Sequence, residues 1–156
     1  MKMEINDILS PTGVLANMKP SSKKQLLQEL AEVGAKLSGK DAQAIFETLL
    51  EREKLGSTGV GNGVAIPHAK LPGMDHIVGV FAHLRKPVTF EAVDDQPVDI
   101  VFMLLAPEGS GADHLKALSR IARVLRNQNT LSSIRNSIDP DAIYSLLTNQ
   151  ENANAA

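Results

Sequence analysis

The sequence predicts a single α/β domain, and three observations carry that prediction. Two runs, 76–84 and 98–106, are dense in Val, Ile, Leu and Phe, as central strands buried on both faces are. Apolar residues at helical spacing precede and follow these runs. The length, 156 residues, suits one domain that buries most of its apolar surface in a single core.

The elements follow in chain order. The opening MKMEINDILSP alternates acidic and apolar residues and has no basic stretch followed by an apolar core, so it does not read as a signal peptide. Ser22 and Gln25 can form a capping box, after which Leu26, Leu27, Leu30, Val33 and Leu37 recur at helical spacing, predicting a helix over 22–37. Asp41 can cap a second helix, whose stripe of Ile45, Phe46, Leu49 and Leu50 runs toward Gly56. Arg52 lies three residues beyond Leu49 and so falls at the edge of that stripe. Five glycines and two prolines in LGSTGVGNGVAIPHAKLPG predict a constrained loop over 55–73, with one short strand at 64–66.

The two apolar runs then supply strands 76–84 and 98–106, and KPVTFEAVDDQP between them reads as an edge hairpin or crossing loop. After Pro107, Ser110 is a candidate N-cap with Asp113 three residues on, opening a helix whose row His114, Leu118, Ile121, Leu125 faces the core. Asp139 and Pro140 start a last helix, expected to end near Leu147 ahead of a polar tail, 149–156, expected to fray. No internal repeat or interdomain linker is visible.

Composition removes several function classes. Sixteen basic and eighteen acidic residues give a net charge of -2, with no block of like charge to neutralise a nucleic-acid backbone, so no nucleic-acid partner is expected. The absence of cysteine excludes a disulfide framework, a thiolate metal site and a cysteine nucleophile together. The longest apolar run, Ile100 to Ala106, is about a third of the roughly 20 residues a membrane-spanning helix needs, so no membrane insertion and a cytoplasmic location are expected. No HExxH, GxSxG, GxxxxGK[ST] or GxGxxG pattern occurs, and the spacing of His68, His76 and His83 does not match a metal site. No metal or other cofactor is expected, and His76 and His83 are assigned to the strand region as structural residues.

Four features could carry chemistry. His68 follows Pro67 in AIPHAK, and a proline stiffens the backbone around it. That histidine suits a nucleophile toward phosphorus, or is a surface residue held by a backbone carbonyl. The loop of Ser57, Thr58, Gly59, Gly61, Asn62 and Gly63 presents amides, hydroxyls and a carboxamide that could cradle a phosphate, or is a flexible connector. His114 stands at a helix start, where the dipole disfavours an imidazolium and favours an anion; it supports a phosphoryl group or is a core-boundary residue. Arg52 offers a guanidinium fork that matches phosphate oxygens, or pairs on the surface with Glu51 or Glu53.

These residues together carry a resemblance. EREKLGSTGVGNGVAIPHAKLPG resembles the active-site segment of the enzyme IIA family of the bacterial phosphoenolpyruvate phosphotransferase system, in its fructose and mannitol class. The wording LGSTGVGNGVAIPH is closest to the nitrogen-regulatory branch, and similarity of layout extends over about 5–150. The resemblance implies a mixed β-sheet flanked by helices on both faces. It implies His68 as the phosphorylated histidine, His114 as the second active-site histidine, and Arg52 as the arginine of the ERE element. It further implies an HPr-like phosphocarrier as donor, no metal or nucleotide, and partners such as sensor kinases or potassium-transport proteins. Two other readings stand beside this regulatory one: a sugar-specific IIA component donating to a IIB domain, and a non-catalytic binding module.

Overall fold

A computed structural model describes the backbone of residues 3–155 and the side chains of residues 3–149. In chain order the elements are α1 (Ile5–Ile8), β1 (Leu9–Met18), α2 (Lys23–Ser38), α3 (Ala42–Lys54), β2 (Gly59–Gly61), β3 (Val64–Ala65), β4 (His68–Leu71), β5 (Val78–Val88), β6 (Val98–Pro107), α4 (Gly111–Leu125), α5 (Gln128–Arg135) and α6 (Pro140–Ala155).

The sheet is mixed, in the order β1-β5-β6-β3-β2, with β4 also on β6. Strand β1 runs parallel to β5, β5 antiparallel to β6, and both β3 and β4 parallel to β6. The two long apolar strands are its centre, and strict alternation sends their side chains to two separate cores. Val80, Ala82 and Leu84 of β5, with Val101, Met103 and Leu105 of β6, pack under α2 and α3. Phe81 of β5, with Ile100, Phe102 and Leu104 of β6, packs under α1, α4, α5 and α6. Helices therefore cover both faces, because both faces of the central strands are apolar.

Local signals set the helix ends. Ser22 accepts from Gln25 N at 3.1 Å, and Leu26, Leu27 and Leu30 one turn on are fully buried, each contributing about 1.5–3 kcal/mol relative to exposure. The reciprocal bond expected of a capping box goes one residue further out: Gln25 Oε1 accepts from Ser21 N and not from Ser22. Asp41 caps α3 through Ala44 N at 3.0 Å. Ser110 occupies the N-cap of α4 without a side-chain cap bond, its hydroxyl donating back to Pro107 O at 2.7 Å. Asp139 accepts from Asp141 N at 3.1 Å, and Pro140 opens α6.

Several expectations need correction. Helix α6 passes Leu147, where it was expected to end, and continues to Ala155; residue 156 lies outside the described residues. Strand β5 begins at Val78 and extends to Val88, so His76 precedes it. Helices α1 and α5 and strand β1 have no counterpart in the sequence reading. The segment 55–73 holds three short strands in place of one, because Asn62 and Gly63 turn the chain back on itself. Both take positive φ, 57° and 79°, as a two-residue hairpin turn between β2 and β3 demands. Arg135 of α5 clamps this turn, donating to Asn62 O at 2.6 Å and through two nitrogens to Asp99.

Candidate functional site

His68 sits where the sheet is interrupted. Strands β3 and β4 follow one another along β6, pairing with Ile100–Val101 and with 104–107. Pro67 lies between them, with no N–H to give, while its carbonyl accepts from Leu104 N at 2.9 Å. His68 resumes the ladder opposite Leu104. Its Nδ1 is 2.9 Å from Ile66 O. A carbonyl only accepts, so Nδ1 carries the hydrogen, and in the neutral ring Nε2 keeps its lone pair. Arg52 Nε donates to that nitrogen at 3.3 Å. The imidazole is thus oriented at both nitrogens, with the unprotonated one turned toward a guanidinium.

Arg52 reaches His68 from the last turn of α3. Its Nη1 donates to Gly56 O at 2.9 Å, just past the helix end, so one planar group spans two acceptors in fixed directions. It pairs with neither Glu51 nor Glu53. His114 comes from the first turn of α4, where its backbone N donates to Ser110 O at 2.8 Å. The rings of His68 and His114 lie 5.4 Å apart, tilted by 57°. His114 is 5% exposed, and its Nδ1 is buried with no partner. Burial first, and then the neighbouring His68 and Lys70, lowers the pKa of His114 below its ordinary value, so near neutral pH this ring is uncharged.

Around this trio is an open depression of about 620 Å³ whose walls include Thr48, Glu51, Lys70 and Leu118. Leu55, 85% exposed, and Leu115, 67% exposed, stand on its rim. Cations lining the depression and exposed apolar side chains at its rim suit an anionic group delivered by a protein surface.

The structure leaves the glycine-rich residues out of that depression. Ser57 donates to Phe90 O at 2.7 Å and accepts from Gly59 N at 3.1 Å. Thr58 is tied to the buried carboxylate of Glu53. Asn62 and Gly63 form the hairpin turn that follows Gly61 of β2, and these three residues face Asp94, Asp99 and Arg135. These residues brace the backbone ahead of His68. A Cβ at Gly63 would stand 2.5 Å from Arg135 Nη2.

His83 is buried in β5, and its Nδ1 has no partner; His76 is exposed and bonded to Asp75, whose pKa it lowers. Neither meets the trio. Among the described residues no group of three or more His, Asp or Glu could hold a metal ion. No helix among them is long and apolar enough to cross a membrane. Sequence reasoning missed Lys70, which shares a face with His68 by the two-residue period of β4, a spacing visible in HAK. It offered a backbone carbonyl holding His68 only as the alternative to a chemical role, and the structure identifies that carbonyl as the one at Ile66.

The chain is similar to several known proteins. The model of the family described as "Phosphoenolpyruvate-dependent sugar phosphotransferase system, EIIA 2" matches residues 7–150. A protein of Bradyrhizobium diazoefficiens described as "Nitrogen regulatory protein" is 58% identical over 145 residues, 93% of this chain and 95% of that one. One of the same description from Pseudomonas aeruginosa is 40% identical over 151 residues, covering 96% and 98%. The crystal structure of nitrogen regulatory protein IIA-Ntr from Neisseria meningitidis superposes with a TM-score of 0.88 at 36% identity, covering 92% of this chain and 99% of that one.

Proposed function

Since the chain belongs to the EIIA 2 family of the phosphoenolpyruvate-dependent sugar phosphotransferase system, and so is a phosphoryl-transfer component, we propose that His68 is its phosphoacceptor, that Nε2 is the atom that reacts, and that the output is regulatory. The observation that carries this reading is the double anchoring of His68. Nδ1–H is held by Ile66 O, and the Nε2 lone pair is presented beside Arg52 and His114.

The donor is a phosphohistidine on a small HPr-like carrier. The Nε2 lone pair attacks phosphorus in line, the donor's phosphorus–nitrogen bond breaks, and its electron pair returns to the donor ring. Like bonds are exchanged, so the step is nearly balanced and catalysis reduces to positioning and charge stabilisation. Positive charge develops on the His68 ring as the new bond forms, and the Ile66 carbonyl stabilises it through Nδ1–H. Arg52 Nε leaves the nitrogen it faced and donates to a phosphoryl oxygen. Neutral His114 gives one further hydrogen bond without adding a charge of its own to the depression. Leu55 and Leu115 supply apolar contact for the carrier.

The regulatory output rests on the likeness to proteins described as nitrogen regulatory, with most of each chain covered. Phosphorylation adds roughly two negative charges to a depression lined by Arg52 and Lys70, which changes what can dock there, sensor kinases and potassium-transport proteins being the targets to try. Labelled phosphoenolpyruvate with enzyme I and an HPr-like carrier should give an acid-labile, base-stable phosphoprotein, and label persisting in His68→Ala would overturn the assignment. Rapid donation to a sugar-specific IIB domain, with no partner retained in a phosphorylation-dependent way, would replace regulation by sugar delivery.

A further inference from the structure

We propose that Glu53, ion-paired with Lys23, is a positioning residue that sets both ring nitrogens of His68 through Thr58. This rests on the reading of His68 as the reacting group. Glu53 follows Arg52 on the last turn of α3, and successive helical residues point about 100° apart, so one faces the interior while the other faces His68. The Glu53 side chain is 3% exposed, with Lys23 Nζ at 3.1 Å. Its two oxygens take the backbone N and the hydroxyl of Thr58.

From Thr58 two chains of contact lead to His68. In one, the closure from Glu53 to Thr58 encloses Gly56, whose carbonyl accepts from Arg52 Nη1; that bond aims Arg52 Nε at His68 Nε2. In the other, Thr58 O accepts from Ile66 N at 3.0 Å, and Ile66 O accepts from His68 Nδ1. The acceptor at one nitrogen and the donor at the other are therefore placed by the same buried carboxylate. Lys23 is fixed in turn, donating to Phe90 O at 3.3 Å and lying 4.3 Å over the Phe90 ring. Ser57 donates to the same carbonyl, so the segment entering the hairpin is held at Ser57 as well as at Thr58.

A buried ion pair is a poor stabiliser compared with well-packed apolar residues of similar volume, because desolvation offsets the attraction. What it supplies here is direction. Four donors converge on two oxygens or on the carbonyl beside them, and any shift in the carboxylate passes to both hydrogen bonds of the reacting ring.

The test compares wild type with Glu53→Gln, Thr58→Val and Thr58→Ser in the full chain. Ring ¹⁵N shifts report the His68 tautomer, quenched-flow labelling gives the rate of phosphorylation by a phosphorylated HPr-like carrier, and thermal unfolding gives stability. Wild type should hold the Nδ1–H tautomer. Glu53→Gln and Thr58→Val should show both tautomers and accept phosphate about tenfold more slowly, the scale of a sub-ångström misplacement. Thr58→Ser, which keeps the hydroxyl, should recover both readouts. Native tautomer and rate in folded Glu53→Gln and Thr58→Val would overturn the proposal, as would a rate loss matched by the unfolded fraction. Should Glu53→Gln fail to fold, Thr58→Val, which leaves the Lys23–Glu53 pair intact, decides alone. A wild type that accepts no phosphoryl group would defeat the functional reading, while the ring shifts would still decide the positioning claim.

Discussion

Replacing Arg52 by lysine keeps a positive charge near His68 but removes the fork that spans two acceptors. Arg52 donates from Nε to His68 Nε2 at 3.3 Å and from Nη1 to Gly56 O at 2.9 Å. An ammonium on a flexible stem has no fixed pair of directions, so it can serve Gly56 or the phosphoryl group with little preference for the productive pose. A hydrogen bond to a charged group is worth about 1.5–3 kcal/mol, which corresponds to roughly 10- to 150-fold in rate. Lysine, retaining charge, should fall at the low end, about tenfold slower, and alanine at the high end, about a hundredfold slower. Because Arg52 is only partly buried, neither change should move stability by more than about 0.5–1 kcal/mol. Quenched-flow labelling by the phosphorylated HPr-like carrier, alongside urea unfolding, separates the two effects. A native rate in Arg52→Lys would mean that charge alone suffices, and a native rate in Arg52→Ala would remove the residue from the chemistry.

Three further outcomes follow from the same structure. The lowered pKa of His114 means that the unfolded chain, with the ordinary value of 6.5, takes up a proton that the folded site resists. Stability should fall as pH drops below about 6.5, by at most about 1.4 kcal/mol per pH unit for this one proton, and His114→Gln should flatten that part of the profile. Urea midpoints between pH 7.5 and 5.5 that depend on pH equally in both proteins would contradict this. Gly79→Ala should destabilise by about 1–3 kcal/mol through overpacking, since a Cβ there would stand 2.7 Å from the Phe102 ring and 2.8 Å from Ile8; a neutral urea midpoint would refute it. Gly63→Ala should loosen the β2–β3 turn, where φ is 79° and Arg135 closes the space, and hydrogen exchange of Asp99 N and Ile100 N, both bonded to Gly63 O, should quicken.

The central strands were legible because their apolar residues run almost unbroken, and the helices α2, α3 and α4 because theirs recur at helical spacing. Strand β1 was not: Pro11 and Gly13 break its pattern, residues 10–12 are exposed, and its register against β5 slips twice. Helix α5 is eight residues with three buried side chains, too short to outweigh its polar remainder. Asn62–Gly63 is a hairpin signal in the sequence itself, since both residues accept the positive φ that a two-residue turn requires. At the site, the side chains of Arg52, His68 and His114 were readable, since each residue type suits phosphoryl chemistry. The features that orient them, a carbonyl at Ile66, a carbonyl at Gly56 and the inward Glu53, are backbone or buried groups, and only the folded chain brings them to the ring.

Which nitrogen of His68 carries the phosphoryl group is decisive. In protein labelled with ¹⁵N at histidine and phosphorylated by the carrier, ³¹P–¹⁵N coupling should place one phosphoryl group on Nε2 of His68, with Nδ1 still protonated toward Ile66 O. Phosphorus bonded to Nδ1, or to any other histidine, would contradict it.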